Sequence, residues 1–181
     1  MKRNFLLILL VMSITPFSTY ARDINYSFAD IRYVDISVDD FEDGDGFAVR
    51  GSYAVTDNIH VFGDYLDAEV DSFDFEHTRF GVGYHKKIVF QDLSAFAQFS
   101  YEESESGDTS DEGFGLTAGV RKNWHGRFEA GAYLRYVNMD ESDTLVGING
   151  LFHVNDRFSI GLEIEDGDDV SYKNIMGRIN F

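Results

Sequence analysis

Five histidines and five acidic runs are the parts of this chain best equipped to move a proton or hold a cation. The histidines are His60, His77, His85, His125 and His153. His77 has Asp74 and Glu76 beside it, but neighbours in an extended strand point to opposite faces, so closeness in sequence assembles no catalytic pair. A satisfied or solvated histidine is the simpler reading. The acidic runs are DDFEDGDG (39–46), DAEVDSFD (67–74), EESESGDTSDE (102–112), DESD (140–143) and EDGDD (165–169), and they contain no Lys or Arg. Carboxylates in loops offer oxygen ligands to a hard cation. DFEDGDG nevertheless departs from a calcium-binding helix–loop–helix pattern. Phe41 stands where a first Asp is needed before Asp43, Asp45 and Gly46, and Ser52 replaces the closing Glu. Hydrated, mutually repelling surface acid is the better account. No catalytic residue, cofactor site or defined metal site is expected, and the chain is read as a non-enzyme.

The elements that carry these residues are strands. Four further breaks, TDN (56–58), KKIVFQD (86–92), NWHG (123–126) and NDR (155–157), alternate strictly with the acidic runs, and Lys86, Lys87, Arg121, Lys122, Arg127 and Arg157 gather near them. His60, His85, His125 and His153 fall toward this basic end. An up-and-down meander produces such alternation, because odd and even connections lie on opposite rims. Nine breaks predict about ten strands, with eight as the smaller alternative, and an even number puts both ends of the barrel on one side.

Between breaks the residues alternate with period two. The second segment sets Phe47, Val49, Gly51, Tyr53 and Val55 against Ala48, Arg50, Ser52 and Ala54. The fifth sets Leu93, Ala95, Ala97, Phe99 and Tyr101 against Ser94, Phe96, Gln98 and Ser100. One face is apolar throughout. The other carries small residues (Gly81, Gly83, Gly115, Gly119, Gly131, Gly161) and charges of both signs: Asp30, Asp64, Glu129 and Glu163 with Arg32, Arg50, Arg79, Arg121, Arg135 and Arg178. A soluble sandwich turns its apolar face inward and shows long charged side chains to water. Here the mixed charges suit a narrow lumen where they pair, as buried charge must. Aromatic residues sit near the strand ends: Tyr33, Phe47, Tyr65, Tyr101, Phe114 and Tyr136 toward the acidic rim, and Tyr53, Tyr84, Trp124, Phe128, Phe158 and Phe181 toward the other. Two such girdles flank the apolar band of a lipid-facing surface. The predicted fold is therefore all-β: an antiparallel, up-and-down transmembrane β-barrel.

Composition and the N-terminus agree with export. Lys2 and Arg3 precede an apolar run from Phe5 to Met12, and STYA closes the stretch at Ala21. That is the plan of a cleaved secretory signal peptide, and the run is too short to span about 30 Å of hydrocarbon as a helix. Residues 1–21 are read as signal and 22–181 as the barrel domain. With no cysteine, an exported chain gains no disulfide, so stability must come from a closed hydrogen-bonded sheet. A net charge of −17 excludes nucleic-acid binding through a phosphate-neutralising face.

At the other end, IMGRINF places Ile175, Gly177, Ile179 and Phe181 on one face. This resembles the terminal signal of outer-membrane barrels, which implies the barrel-assembly machinery as a partner during insertion. The chain as a whole resembles the small outer-membrane β-barrel-domain families, most specifically in YSFADIRYVDI (26–36), HVFGDYLDAE (60–69) and FGVGYHKKI (80–88). Within them it is similar to a subgroup labelled quorum-factor-like. Arg32 stands where a small residue is expected before Tyr33, so the family's lumen packing is not carried over. The resemblance implies fold and residence in the cell outer membrane, and it brings no catalytic residue with it.

Three functional readings follow from these residues. The leading one is an integral outer-membrane barrel with acidic external loops in a structural or surface-interaction role, in contact with outer-membrane lipid and lipopolysaccharide, with loose divalent cations bridging the acids to phosphate. The second is a narrow, porin-like channel for small solutes, cation-preferring because of its acidic mouth. The third, an outer-membrane rim hydrolase, has the least support.

Overall fold

In the computed structural model, residues 24–38, 43–70, 73–88, 93–107, 109–124, 126–140, 142–168 and 170–181 are described. The expected signal peptide, His125 and residues 39–42 of the first acidic run lie outside them. Ten strands follow one another: β1 (Phe28–Val38), β2 (Gly44–Ala54), β3 (Ile59–Val70), β4 (Phe73–Ile88), β5 (Leu93–Ser106), β6 (Thr109–Trp124), β7 (Phe128–Asn138), β8 (Ser142–His153), β9 (Phe158–Asp166) and β10 (Val170–Asn180). Each pairs antiparallel with the next, and β10 returns to β1 from Phe28↔Asn180 to Val38↔Val170. Closure leaves no open edge around the wall and satisfies the ladder hydrogen bonds without water, which a hydrocarbon setting demands.

Burial is inverted relative to a soluble protein. Along β1 the residues facing inward are Phe28, Asp30, Arg32, Val34 and Ile36, and Ile31 between them is 67% exposed. Arg32, Arg79, Glu102 and Glu163 are buried, whereas Val49, Val82, Leu134, Ile148 and Leu162 look outward. Such a surface is stable only against lipid. Of the outward aromatics, Tyr33, Phe47, Tyr65, Phe114 and Tyr136 are exposed toward the acidic rim, and Tyr53, Tyr84, Trp124, Phe128, Phe158 and Phe181 toward the rim that holds the C-terminus.

Two of the acidic runs are not the breaks that composition suggests. The β3–β4 ladder continues through Asp67↔Glu76 and Glu69↔Asp74 to Val70↔Phe73. The β5–β6 ladder continues through Glu103↔Glu112 to Ser106↔Thr109, although β6 meets β7 only from Phe114↔Asn138. Strands β3 to β6 therefore form a continuous acid-bearing wall, whose far end at β6 rises beyond β7. Tyr65 and Tyr101 brace its outer face by donating hydrogen bonds to Glu76 (2.8 Å) and Glu112 (2.5 Å).

Inside the barrel, on the same acidic side, Val34, Ile36, Ala48, Leu66 and Ala68 form an apolar cluster, with Val38, Val70, Phe75, Val170 and Tyr172 packed against it. It lines the β10–β4 side of that mouth.

Candidate functional site

The lumen is organised by a row of charges in strand register. Arg178 lies opposite Asp30, Asp30 opposite Arg50, Arg50 opposite Asp64, Asp64 opposite Arg79, and Arg79 opposite Glu102. Six neighbouring strands, from β10 through β1 to β5, thus carry alternating signs at adjacent positions, where opposite charges attract. The stagger of a barrel makes such a row climb along its axis. It starts near the terminal rim at Arg178 and ends near the acidic rim at Glu102.

The side chains meet along this row. Arg178 grips Asp30 with Nε and Nη2 at 2.6 and 2.8 Å. Asp64 accepts from Arg32 Nη2 (2.5 Å), Arg50 Nε (2.8 Å) and Arg79 Nη2 (3.0 Å). Glu163, across the lumen on β9, lies 3.2 Å from Arg50 and 3.4 Å from Arg32. Glu102, fully buried, accepts from Arg135 and from Ser100 Oγ (2.7 Å), with His77 Nε2 3.3 Å away. Arg135 also lies 3.6 Å from Glu165. Arg121 binds Glu129 through Nε (2.8 Å) and Nη2 (2.6 Å). Aromatic faces cover several guanidiniums, with Arg178 3.7 Å from the Phe28 ring and Arg121 4.6 Å from that of Tyr26.

All ten charged residues singled out from sequence, Asp30, Arg32, Arg50, Asp64, Arg79, Arg121, Glu129, Arg135, Glu163 and Arg178, face inward and take part in ion pairs. Sequence reasoning missed Glu102 and Glu165 by giving them to the external acid runs. With these two, the buried ion-paired charges among the described residues are six arginines and six carboxylates. The signal was present in the alternation: Glu102 continues the parity of Ser94, Gln98 and Ser100, and Glu165 that of Ser159 and Glu163. Ile175, Gly177, Ile179 and Phe181 lie on the outer face, Ile175 and Phe181 well exposed.

Small residues make room for this filling. A Cβ at Gly115 would lie 1.9 Å from Glu102 Oε1, one at Gly147 2.2 Å from the Tyr133 ring, and one at Gly83 2.2 Å from the His60 ring. Gly147→Ala is therefore expected to force Tyr133 off its seat and cost about 1–3 kcal/mol, read as a lower denaturant midpoint of the folded barrel. Gly51→Ala is the control, since nothing lies within 4 Å of the added atom. Equal midpoints for the two would show that Tyr133 re-seats freely.

Nearer the terminal rim the lumen adds a group of histidines and neutral polar side chains to the Arg121–Glu129 pair. His60 Nδ1 and His85 Nδ1 are 3.0 Å apart, and Gln98 Nε2 is 2.9 Å from His60 Nε2. His60 thus bridges His85 and Gln98, the tautomer of each ring setting which nitrogen donates. Tyr26 stacks on His85 at 3.7 Å. His153 Nδ1 and Ser159 Oγ are 2.7 Å apart, the nearest approach to a nucleophile and base. Glu129 lies 3.8 Å from the other nitrogen, too far for a hydrogen bond, and is held by Arg121. His77 turns to Glu102, while Glu76 serves Tyr65 on the outer face. No group of three or more metal-ligating side chains occurs among the described residues.

The side chains leave two small cavities. One of about 70 Å³ lies between the charge row and the terminal rim, and one of about 30 Å³ lies beneath the apolar cluster. Arg50 and Arg79 stand in the walls of both. These volumes hold a few water molecules each.

An apolar band outside, two aromatic girdles and a closed wall around a charged interior define a membrane-spanning β-barrel of the outer-membrane type. No protein-family model matches the chain, and no curated protein matches it in sequence. Solved structures match its fold. An outer-membrane channel from Pseudomonas putida F1 superposes with a TM-score of 0.56 at 8% identity, covering 93% of this chain and 100% of that one. The KdgM porin superposes at 0.50 with 12% identity, covering 84% and 99%. The likeness is one of fold.

Proposed function

We propose that the protein is a closed, surface-displayed barrel of the cell outer membrane, with a structural or interaction role and no conducting pore. The observation that carries this reading is the filled lumen: paired charges across its middle and an apolar cluster under the acidic mouth. The acid-bearing wall built from β3 to β6 faces outward, hydrated and able to meet lipopolysaccharide phosphates through loosely held divalent cations. The outward Ile175, Gly177, Ile179 and Phe181 serve as the strand end recognised by the assembly machinery. The family subgroup suggested by residues 26–36, 60–69 and 80–88 adds no ligand to this role.

Single-channel recording of the mature barrel in planar bilayers tests the reading. The expected trace is flat, without unitary steps, for protein whose folding is verified by its shifted gel mobility before boiling. Regular steps with a preference for cations would replace this proposal with the narrow-channel reading, for which the acidic mouth would be the selectivity element.

A further inference from the structure

We infer that the outer wall of the barrel binds one anionic glycerophospholipid, with its phosphate at Lys122 and an acyl chain in the apolar groove across β7 to β10. The inference concerns the lipid-facing surface and stands whether or not the lumen conducts. The floor of the groove is Ala130 and Gly150, outward residues at paired positions of β7 and β8. Phe128 and Phe152, also paired, wall it toward the terminal rim, and Ile148 and Leu162 continue it into the apolar band. A Cβ added at Gly150 would meet only the Phe128 ring, at 3.7 Å, so the floor is open to hydrocarbon.

A cation stands beside this groove on the lipid-facing side. Lys122 is paired with Ala130 in the β6–β7 ladder and shares the outward parity of Leu116, Val120 and Trp124. Its Nζ lies 5.5 Å from the centre of the Trp124 ring, and that ring packs on Phe128 with centroids 5.9 Å apart. The amine is thus turned toward the aromatic girdle, the level at which headgroups begin, and the contacts lead from it through Trp124 and Phe128 to the groove. Among the described residues no carboxylate lies at ion-pair distance from Lys122. Lys173, outward on β10 near the acidic rim, has Asp35 at 3.5 Å. An ammonium at headgroup level with no carboxylate partner is matched by a lipid phosphate. The terminal rim is the side of the short turns, which in such barrels faces the periplasm. The phosphate is therefore assigned to a phospholipid of the inner leaflet, not to lipopolysaccharide.

Native mass spectrometry tests the site. The mature barrel is released from micelles loaded with equal amounts of phosphatidylglycerol and phosphatidylcholine carrying the same acyl chains, and the lipid retained is counted. One phosphatidylglycerol per barrel is expected to survive activation that strips phosphatidylcholine. Lys122→Gln should weaken its affinity about fivefold, the effect of one lysine facing an anionic lipid, and Lys122→Arg should restore it. Lys173→Gln is the control and should change nothing, because that lysine already has Asp35. Gly150→Ile fills the groove from the lipid side and should lower phosphatidylglycerol retention with the charge intact. Folding of each variant is read from its gel mobility before boiling, and if Gly150→Ile fails to fold the Lys122 variants still decide. Equal retention of the two lipids, unchanged retention in Lys122→Gln or in folded Gly150→Ile, or displacement of phosphatidylglycerol by an equal amount of lipopolysaccharide would each overturn the site.

Discussion

Replacing Asp64 with alanine lowers the stability of the folded barrel by about 3–5 kcal/mol, the cost typical of stranding a buried charge. The carboxylate is shared by three arginines, Arg32, Arg50 and Arg79, at 2.5, 2.8 and 3.0 Å. Without it, Arg32 and Arg50 retain only Glu163, at 3.4 and 3.2 Å. Among the described residues Arg79 then keeps no carboxylate at ion-pair distance. Asp67, three residues on and exposed, is the matched control, with an expected effect within about 0.5 kcal/mol. Urea unfolding from lipid vesicles, followed by the fluorescence of Trp124, the single tryptophan, reads both variants. Adding Arg79→Ala to Asp64→Ala should recover part of the loss, because the double variant leaves one cation fewer unpaired. If Asp64→Ala costs no more than Asp67→Ala, the arginines are solvated and the lumen is wet.

The barrel was legible because its rules are local. Alternation along a strand assigns each residue a face, and the strict exchange of acidic and basic breaks separates the two rims. The limits of that reasoning show in Glu102 and Glu165. Composition pulled both into external acid runs, but an acidic run does not end a strand: the β5–β6 ladder continues through Glu103↔Glu112 to its turn. Parity was the stronger signal and composition the weaker. Other features were out of reach because they depend on shear. The alternating row from Arg178 to Glu102 exists only once register brings residues far apart in sequence to adjacent positions. The same holds for His60 against His85, and for Val34 and Ile36 against Leu66. Single-sequence periodicity gives the face of each residue but not its height in the barrel.

Removing the central pairs is expected to turn a silent barrel into a conducting one. Arg50 and Arg79 line both cavities, so their side chains, with the Asp64 and Glu163 carboxylates that hold them, form the septum between the two spaces. Replacing all four by serine removes two positive and two negative charges, leaving the remaining lumen balanced between four arginines (Arg32, Arg121, Arg135, Arg178) and four carboxylates (Asp30, Glu102, Glu129, Glu165). The row that spans β10 to β5 is then broken at its middle and the cavities join. Water filling the gap should solvate Arg32, which loses both partners, so the variant can fold where Asp64→Ala alone is strongly destabilised. Planar-bilayer recordings should show resolved unitary steps for this variant, against a flat wild-type baseline. The current should prefer cations, because the acidic wall above the mouth is untouched. The control exchanges Glu76 and Glu112 for glutamine on the outer face, which should leave the baseline flat. A folded four-serine variant that stays silent would show that the septum is not the seal. Closure would then lie higher, in the apolar cluster of Val34, Ile36 and Leu66, where a few inward apolar side chains exclude water without any charge at all.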